Sequence, residues 1–220
     1  MTSLRSHSRF LSLEGGEGAG KTTVLAALRD ALRADGSEVI NTREPGGTPL
    51  AERIRALLLA SHAGDDDTAH EAVAAETELL LMFAARVQHV REVIVPALER
   101  GAWVISDRFT DSSYAYQGAG RGLDAALIDT LERDTVGLRP ALTLLLDVDV
   151  AQGRERTRRR DHAPDRIERE RNEFFERVRV AYCARAAADP QRFRVIDASR
   201  AAHEVATDAV AQLRAWQAAQ

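Results

Sequence analysis

The chain is short of cysteine, of long apolar runs and of surplus positive charge, and each shortage excludes a class of protein. Its single cysteine, Cys183, rules out an internal disulfide and suits a reducing cytoplasm. No run of about 18 apolar residues occurs, so we expect no membrane-spanning helix. The 30 basic residues are outnumbered by 34 acidic ones, whereas proteins that bind polymeric nucleic acid usually carry a basic excess. The remaining composition, 45% hydrophobic and 29% charged, is that of a globular protein that can fill a core.

Lysine is the scarcest charged residue. Lys21 is the one lysine among the 30 basic residues, and all the others are arginine. A genome that favours arginine codons explains the general bias. It does not explain why this position kept a lysine, which differs from arginine in carrying a compact, mobile ammonium group. The residues around Lys21 supply a reason.

Residues 15–22 form a glycine-rich segment, GGEGAGKT, that matches the phosphate-binding pattern G-x-x-x-x-G-K-[ST]. The apolar residues 10–14 predict a buried strand before it, and the spacing of Val24, Leu28 and Leu32 predicts a helix after it. Glycines in such a turn let several backbone N–H groups point at one anion, and the N-terminus of the helix adds its positive end. A chance glycine-rich turn would lack this context, so the sequence predicts a site for a nucleoside triphosphate.

Each part of this phosphate loop has a predicted role in binding ATP and Mg²⁺. Lys21 reaches the outer phosphates, and the hydroxyl of Thr22 is a ligand for Mg²⁺. A GTP switch is disfavoured, because the N-K-x-D segment that usually reads guanine needs a second lysine. The predicted ATP-binding residues of the loop are Gly15, Gly16, Glu17, Gly18, Ala19, Gly20, Lys21, Thr22 and Thr23.

Predicted strands and helices alternate along the whole chain. Strands are expected at residues 10–14, 38–42, 102–106, 141–146 and 192–196. Helices are expected at residues 23–34, 50–60, 72–100, 123–136 and 201–217, with another ending near residue 187. This alternation predicts an α/β fold in which helices cover both faces of a mostly parallel sheet. We expect one domain over residues 1–220, with residues 1–9 flexible.

Asp107 and Arg108 come directly after the strand predicted at residues 102–106. The carboxyl ends of the strands line the ligand crevice in an open α/β sheet. Asp107 is therefore predicted to hold Mg²⁺ or a water molecule of its shell, and Arg108 is predicted to bind a phosphate with its planar fork. Asp147, which follows the strand at residues 141–146, is a rival for the first of these roles.

Six segments of the chain form a specific combination. They are the phosphate loop with Glu17, TREPGGT at residues 42–48, AAR at 84–86, DRF and SSYAYQGAGRG within 107–122, LLLDV at 144–148, and an arginine-rich segment closing with DRIE at 165–168. Together they resemble the bacterial thymidylate kinases, a P-loop family that transfers the γ-phosphate of ATP to dTMP. The resemblance covers nearly everything from Phe10 to the last predicted strand. It implies a P-loop kinase fold, ATP and Mg²⁺ as ligands, a place in dTTP biosynthesis, and a homodimer formed through the helix at residues 72–100 and its neighbours.

The resemblance also implies which residues bind dTMP. Arg55 and Arg108 would hold its phosphate, and Glu44 would accept a hydrogen bond from the sugar 3′-hydroxyl. Arg86 would donate to a carbonyl of thymine, and Glu17 would lie near the sugar. From the residues alone Arg86 has another interpretation, an arginine that extends to water or pairs with a carboxylate of the core.

The pocket for the base and sugar is implied by the segment at residues 107–122. Ser113 and Gln117 would line the base. Tyr116 would fill the space of a ribose 2′-hydroxyl and so favour deoxyribose. Tyr114 is an alternative of the same residue type, and only the register of the family motif favours Tyr116.

An aromatic side chain in this family usually stacks on the base from four residues before the arginine. Here that position is Met82, and Phe83 follows it. Phe83 is predicted to stack on the thymine from one position later. The alternatives are that Met82 packs on the base and that Phe83 belongs to the core.

Residues 154–166 carry six arginines, which are Arg154, Arg156, Arg158, Arg159, Arg160 and Arg166. A charge run of this kind is usually a solvated helix face. Phosphoryl transfer, however, develops negative charge that arginines stabilise, and the phosphate loop contains no arginine. Members of the resembled family that lack this arginine place catalytic ones in a lid. Residues 154–166 are therefore predicted to form a lid in which Arg158 and Arg160 contact the transferred phosphate and Arg156 contacts the adenine.

The predicted catalytic residues are Glu17, Lys21, Arg108, Arg158 and Arg160. Spacing does not decide which neighbouring lid arginine plays which role. Two other functions stay open at this point. One is a kinase for another nucleoside monophosphate, such as dUMP or dCMP, and the other is an ATP-binding regulator that transfers nothing. Arg108 and the lid arginines argue against the regulator.

Overall fold

Five parallel strands form one sheet in the computed structural model, which describes residues 4–60, 72–158 and 164–220. The strands are Arg5–Gly15 (β1), Val39–Arg43 (β2), Trp103–Asp107 (β3), Leu138–Asp147 (β4) and Phe193–Asp197 (β5). Within the described ranges their order is β2-β3-β1-β4-β5, and all neighbours are parallel. The predicted parallel α/β sheet is confirmed.

Helices connect these strands. They are Lys21–Ala34 (α1), Pro49–Leu59 (α2), Ala75–His89 (α3), Val95–Glu99 (α4), Thr110–Ser113 (α5), Ala125–Leu131 (α6), Val150–Arg158 (α7), Asn172–Ala188 (α8) and Ala202–Ala218 (α9). π-Helical turns extend three of them, at Val90–Ile94, Tyr114–Gly120 and Glu132–Val136. No helix in the described part of the chain has the length and apolar character needed to cross a membrane.

The side chains of β1 alternate between two cores, one on each face of the sheet. Leu13 packs with Leu28 of α1 and Leu213 of α9 on one face. Phe10 points to the other face, where it joins Ile94 of the π-helical turn before α4. All five side chains are fully buried. Burial of both faces is the expected outcome when helices cross over between parallel strands.

β1 begins at Arg5, five residues before the strand that the sequence predicts from Phe10. Its first residues pair with the start of β4. Residues 5–9, which the sequence pattern places in a flexible segment, thus belong to a strand instead. Their mostly exposed polar side chains give no apolar signal, because backbone pairing rather than burial defines this part of the strand.

The long helix predicted at residues 72–100 consists of three parts. α3 is regular, Val90–Ile94 forms the π-helical turn, and α4 completes the element. Pro96 explains the interruption, because it has no N–H and its ring clashes with the carbonyl four residues earlier, at Glu92. The wider turn relieves this clash, as π-helical turns do inside longer helices.

Two helical segments do not emerge from the sequence pattern. α5 and its extension Tyr114–Gly120 are buried on nearly all sides, so they show no apolar stripe against a polar background. α7 carries the first part of the predicted lid and ends at Arg158. Residues 159–163, and with them Arg160, lie outside the described residues.

The carboxyl ends of β1, β2 and β3 lie side by side at one edge of the sheet. Asp107 is in register with Leu13 of β1 and with Arg43 of β2. Because all the strands are parallel, the phosphate loop, the TREPGGT segment and Arg108 leave the sheet at the same edge. The motifs that the sequence singles out therefore meet there.

Candidate active site

The phosphate loop joins β1 to α1 and curls around the head of Lys21. Gly15 has a φ of 138°, and a Cβ there would lie 2.5 Å from the carbonyl oxygen of Leu146, so only glycine fits. The Nζ of Lys21 donates to the carbonyl oxygens of Gly15 and Gly16, at 3.3 and 3.2 Å. Burial of this ammonium group, together with repulsion from Arg108, lowers its pKa. A bound phosphate would supply the negative charge that the buried ammonium group needs.

A polar cleft of about 700 Å³ opens in front of the loop. Asp107 borders it, and the Oδ1 of Asp107 is buried without a hydrogen-bond partner among the described residues. Thr22, at the start of α1, lines the same cleft. A carboxylate oxygen without a partner and a hydroxyl in one cleft suit Mg²⁺, which prefers oxygen ligands. The cleft is lined by Glu17, Gly18, Ala19, Gly20, Lys21, Thr22, Arg43, Arg55, Asp107, Arg108, Asp165 and Glu168.

Asp147, the rival of Asp107, is already paired with an arginine. Its two carboxylate oxygens accept from the Nε and Nη2 of Arg179, at 2.7 and 3.0 Å. No cluster of three or more His, Cys, Asp or Glu side chains that could hold a metal occurs in residues 4–60, 72–158 and 164–220. The fit of this cleft to Mg²⁺ therefore depends on Asp107 and Thr22.

A second cavity, of about 570 Å³, opens beside the phosphate cleft, and we call it the acceptor cavity. Every residue predicted to bind dTMP lines it, with the exception of Phe83. Glu17, Arg55, Arg108 and Asp165 line both cavities, so the two meet along these side chains. The acceptor cavity is lined by Glu17, Glu44, Pro45, Arg55, Leu59, Met82, Arg86, Arg108, Ser112, Ser113, Tyr116, Gln117, Asp165 and Ile167.

Arg108 lies at the junction of the two cavities and has a left-handed backbone, with a φ of 71°. Its Nη1 donates to the carbonyl oxygen of Gly15 at 3.0 Å and to the hydroxyl of Tyr182 at 3.1 Å. Its Nη2 donates to Glu17 Oε1 at 2.7 Å and to the hydroxyl of Tyr116 at 3.0 Å. Burial opposes the charge of this guanidinium, but its neighbours raise the pKa of Arg108 above the ordinary value. A residue held in a rare backbone conformation by many contacts is typical of functional sites.

Arg86 pairs with a core carboxylate, which is one of the two interpretations that the sequence leaves open, and it also lines the acceptor cavity. Its contact with thymine stays a prediction. Its Nε donates to Glu44 Oε2 at 2.6 Å. Nη1 donates to Ser113 Oγ at 3.1 Å, and Nη2 donates to the carbonyl oxygen of Phe109 at 3.2 Å. A buried guanidinium is costly unless it is paired in this way. The contact of Glu44 with a 3′-hydroxyl stays a prediction.

Met82 faces the acceptor cavity, whereas Phe83 does not belong to its lining. Phe83 is buried in the core next to the sheet, and its ring centre is 4.7 Å from the guanidinium carbon of Arg86. Adjacent positions on an α-helix point about 100° apart, so the two side chains face different surroundings. The placement does not suit Phe83 for stacking on a base, and Met82 takes its place in the proposals below.

Tyr116 lines the acceptor cavity, and Tyr114 does not belong to its lining. The hydroxyl of Tyr114 instead donates to Glu132 at 2.9 Å. Gln117 follows Tyr116 into the cavity wall, where its Nε2 donates to Glu78 Oε1 at 2.8 Å. Of the two tyrosines, Tyr116 is therefore the one that lines the acceptor cavity, and its contact with a sugar stays a prediction.

A buried cluster behind Arg108 has no counterpart among the sequence predictions. Glu14 Oε2 accepts from Ser112 Oγ at 2.7 Å and from the hydroxyl of Tyr182 at 2.8 Å. Both hydroxyls also accept from Nη1 of Arg108. Burial and the nearby Asp111 raise the pKa of Glu14 to about 7. A charged residue inside an apolar strand was a signal for Glu14, but nothing local marks Tyr182, which α8 supplies from far along the chain.

Four arginines of the lid segment lie in the described residues, and two of them, Arg156 and Arg158, have predicted roles. Arg156 donates to the backbone carbonyls of Ala198 and Ser199, at 2.7 and 2.9 Å. It lines a cleft of about 640 Å³ next to the glycines of the phosphate loop. Arg158 is exposed at the end of α7 and lines a further cleft of about 850 Å³. Arg160 is not among the described residues, so its predicted place stays a prediction.

A phosphate-binding cleft that shares a charged arginine with a second cavity suits the transfer of a phosphoryl group to a bound acceptor. A sequence profile described as thymidylate kinase matches residues 13–209 of the chain. The chain belongs to the thymidylate kinase family.

Individual thymidylate kinases show the same similarity. One from Chromohalobacter salexigens is 54% identical over 206 residues, which are 93% of this chain and 94% of the relative. One from Pseudomonas fluorescens is 56% identical over 192 residues, or 87% of this chain and 88% of the relative. The crystal structure of thymidylate kinase from Ehrlichia chaffeensis matches with a TM-score of 0.73 and 33% identity, covering 95% of this chain and 98% of that one.

Membership of the thymidylate kinase family makes the chain an ATP-dependent nucleoside monophosphate kinase. The resemblance inferred from six sequence segments is confirmed, and so is the P-loop kinase fold that it implies. The alternative of a regulator that only binds ATP is set aside.

Proposed function

We propose that the chain transfers the γ-phosphate of ATP to dTMP where the phosphate cleft meets the acceptor cavity. This transfer is the activity of the thymidylate kinase family, and its product dTDP leads to dTTP. The observation that carries the proposed arrangement is that Arg108 borders both cavities. Phosphates entering from the two sides would meet at one guanidinium.

On the ATP side, the triphosphate lies along the phosphate loop in this proposal. Lys21 exchanges its carbonyl contacts for the outer phosphate oxygens, and the adenine lies near Arg156 in the adjoining cleft. Thr22 and Asp107 would hold Mg²⁺, which when bound neutralises phosphate charge.

On the acceptor side, Arg108 and Arg55 hold the phosphate of dTMP. Arg55 is oriented for this by donating to the carbonyl oxygen of Pro45 at 3.0 Å. Arg86 donates to a thymine carbonyl, and Met82 packs on the face of the base. A guanidinium is well suited to the first task, because its fork matches phosphate oxygens.

The sugar and the edge of the base are enclosed by the remaining side chains of the acceptor cavity. Ser113 and Gln117 border the base, and Glu17 and Glu44 lie near the sugar. The ring of Tyr116 occupies the space that a 2′-hydroxyl would need. Exclusion of the ribonucleotide is then steric.

Catalysis in this arrangement comes from positioning and charge neutralisation. A phosphate oxygen of dTMP attacks the γ-phosphorus in line, and the bond to the bridging oxygen of ADP breaks. The phosphate dianion is already a nucleophile, so no strong general base is required. Lys21 and Arg108 neutralise the developing charge, and Arg158 and Arg160 are proposed to add to this from the lid.

A panel of acceptors tests the proposal. ADP release is measured by a coupled assay with dTMP, dUMP and dCMP at matched concentrations. We expect the highest kcat/KM for dTMP. A clear preference for dUMP or dCMP would contradict the thymidylate assignment while leaving a monophosphate kinase in place.

The homodimer implied by the family resemblance is also part of the proposal. Leu80 of α3 and Leu127 of α6 are large apolar side chains with 54% and 40% of their surface exposed. Burial of such side chains between two copies would remove apolar surface from water. Light scattering coupled to size exclusion should give twice the chain mass of 24.1 kDa, and a monomer at micromolar concentration would contradict the dimer.

A further inference from the structure

A buried chain of hydrogen bonds behind the acceptor cavity includes a histidine that the proposed function does not use. The Oγ1 of Thr42 is 2.6 Å from Nε2 of His89, and Nδ1 of His89 is 3.0 Å from Oε1 of Glu44. Oε2 of Glu44 accepts from Nε of Arg86 at 2.6 Å. His89 is fully buried, and Glu44 and Arg86 are nearly so. This series of hydrogen bonds thus runs from β2 through the end of α3 to the wall of the acceptor cavity.

We propose that His89 is a positioning residue that holds Glu44, and through Glu44 the guanidinium of Arg86, in the orientation that receives the thymine base. The inference rests on the proposed function, because it needs Arg86 to donate to the base. His89 itself does not belong to the lining of the acceptor cavity.

The chemistry of the side chains fixes which atom is the donor in each of these hydrogen bonds. Glu44 pairs with the cation Arg86 and, as a carboxylate, only accepts. The N–H group at Nδ1 of His89 is therefore the donor of the hydrogen bond to Glu44. In the tautomer with its N–H at Nδ1, the ring accepts at Nε2 from the hydroxyl of Thr42. Both ring nitrogens are satisfied, which a fully buried histidine requires.

Arg86 has N–H groups left for a ligand. Within the described residues three of its five N–H groups donate to Glu44, Ser113 and the carbonyl of Phe109. The other two have no partner among the described residues, and Arg86 lines the acceptor cavity. A turn of the Glu44 carboxylate would turn the guanidinium plane with it. The contact of His89 with Oε1 prevents that turn.

Gly47 of the TREPGGT segment packs against the same hydrogen bonds. A Cβ at Gly47 would lie 2.5 Å from Cδ2 and 2.6 Å from Nε2 of His89, and 2.8 Å from Oγ1 of Thr42. Its φ of 86° also favours glycine. The close approach of this backbone leaves the imidazole no room to move away from Glu44.

Two amide substitutions separate the contacts of His89. In His89→Asn the amide can take the place of Nδ1 and donate to Glu44. In His89→Gln the amide reaches the place of Nε2, and Glu44 loses its donor. We expect His89→Gln to raise the KM for dTMP by about tenfold. We expect His89→Asn to raise it by less than about threefold, because the charge-assisted hydrogen bond is kept.

The measurement is steady-state ADP release with varied dTMP at saturating ATP, and then with varied ATP at saturating dTMP. The KM for ATP should change by less than about twofold in both variants, because no ATP-binding residue is touched. Equal KM values for dTMP in the two amide variants would overturn the inference. A loss confined to kcat or to the KM for ATP would also overturn it.

Gly47→Ala keeps the inference testable where the amide variants do not fold. The added methyl group pushes on the imidazole, whereas the histidine itself is not replaced. We expect it to raise the KM for dTMP and to spare the KM for ATP. A KM for dTMP equal to that of the parent chain, in a folded variant, would overturn the inference.

Arg86→Lys distinguishes failure of the inference from failure of the proposed function. If it raises the KM for dTMP and His89→Gln does not, the inference is refuted and the role of Arg86 stands. If it leaves the KM for dTMP unchanged, the base-reading role of Arg86 fails and the inference fails with it. In the double variant His89→Gln should add little, because both changes act through one contact. If the effects of the two changes on the KM for dTMP multiply in full, His89 does not act through Arg86 and the inference is refuted.

Discussion

The phosphate loop and the acceptor cavity are built in opposite ways. The loop is one continuous segment, residues 15–22, and it offers a ligand mainly backbone N–H groups and one ammonium group. The acceptor cavity takes its arginines from three separate places, Arg55 on α2, Arg86 on α3 and Arg108 after β3. A site made of backbone can be encoded by neighbouring residues. A site made of side chains needs the whole fold to bring its parts together.

The two arginine–carboxylate pairs of the acceptor cavity also differ from each other. The side chains of Arg108 and Glu17 are 15% and 24% exposed, whereas those of Arg86 and Glu44 are each 3% exposed. The first pair lies where the two cavities meet, and a phosphate there can compete with the carboxylate. The second is enclosed, and removing one partner of a buried pair costs about 3–5 kcal/mol. Arg108 is therefore suited to exchange its carboxylate for a phosphate, and Arg86 is suited to stay in place.

The largest effect is expected in the phosphate loop, from Lys21→Arg. The charge is kept, but the planar fork cannot lie where the Nζ of Lys21 contacts the carbonyls of Gly15 and Gly16. We expect kcat to fall by about 100- to 1,000-fold with normal folding, as when one preorganised donor is lost. ADP release and thermal unfolding are the measurements, and near-normal turnover would contradict the placement of the triphosphate.

The solitary lysine allows a chemical version of the same test. Amine-directed reagents should modify only Lys21 and the N-terminal amine, and the lowered pKa of Lys21 increases its reactive, neutral fraction. Peptide mass analysis with and without saturating ATP shows whether the ligand covers it. Modification of Lys21 at an unchanged rate with ATP present would argue against binding at the loop.

Arg108 joins the two regions, so its replacement should affect both substrates. We expect Arg108→Ala and Arg108→Gly to lower kcat/KM by about 100-fold alike, because both lose the guanidinium. The glycine variant should be the more stable by about 1 kcal/mol, since φ is 71° at this position. Urea unfolding compares the two, and equal stability would mean that the left-handed backbone relaxes when the side chain is removed.

Tyr116 sharpens the comparison on the acceptor side alone. Tyr116→Ala should raise kcat/KM for the thymine ribonucleotide, relative to kcat/KM for dTMP, by about tenfold, because space opens beside the sugar. Tyr116→Phe is the matched control, since it keeps the ring and loses only the contact of the hydroxyl with Arg108. Equal ratios in the two variants would show that the ring does not exclude the 2′-hydroxyl.

Replacement of Glu14, which lies behind Arg108, is expected to have the smallest effect on turnover but a clear effect on stability. Folding raises the pKa of Glu14 from 4.5 to about 7 through burial and the nearby Asp111. The folded protein holds this proton more tightly than the unfolded chain. Its contribution to the free energy of unfolding is therefore full below pH 4.5 and is lost as the pH rises through about 7.

Glu14→Gln should remove that part of the pH dependence. Urea unfolding at about pH 4.5 and about pH 8 gives the difference for each protein. Glu99→Gln, at an exposed position on α4, is the matched control and should follow the parent chain. Identical pH dependence in the parent chain and Glu14→Gln would show that Glu14 does not titrate in this range.

Local patterns predicted the elements with a regular apolar period and failed where burial is uniform. The strands emerged as short apolar runs, and the helix after the loop emerged because its apolar residues recur every three to four positions. α5 with its extension did not emerge, because it is buried on nearly all sides. Phe83 was assigned to the base because aromatic rings often stack there, but the rotation between neighbouring helical positions directs Met82 to the cavity instead.

By itself the sequence determined the phosphate loop, the alternation of strands and helices, and the family. These properties depend on residues that are close together or on motifs that can be compared one at a time. Only the tertiary structure decided that Arg86 meets Glu44, 42 positions away, that Tyr182 reaches Arg108 across 74, and that His89 lies behind the acceptor cavity. The reason is physical: such contacts depend on how packed helices and strands lie against one another, and no short stretch of chain contains that information.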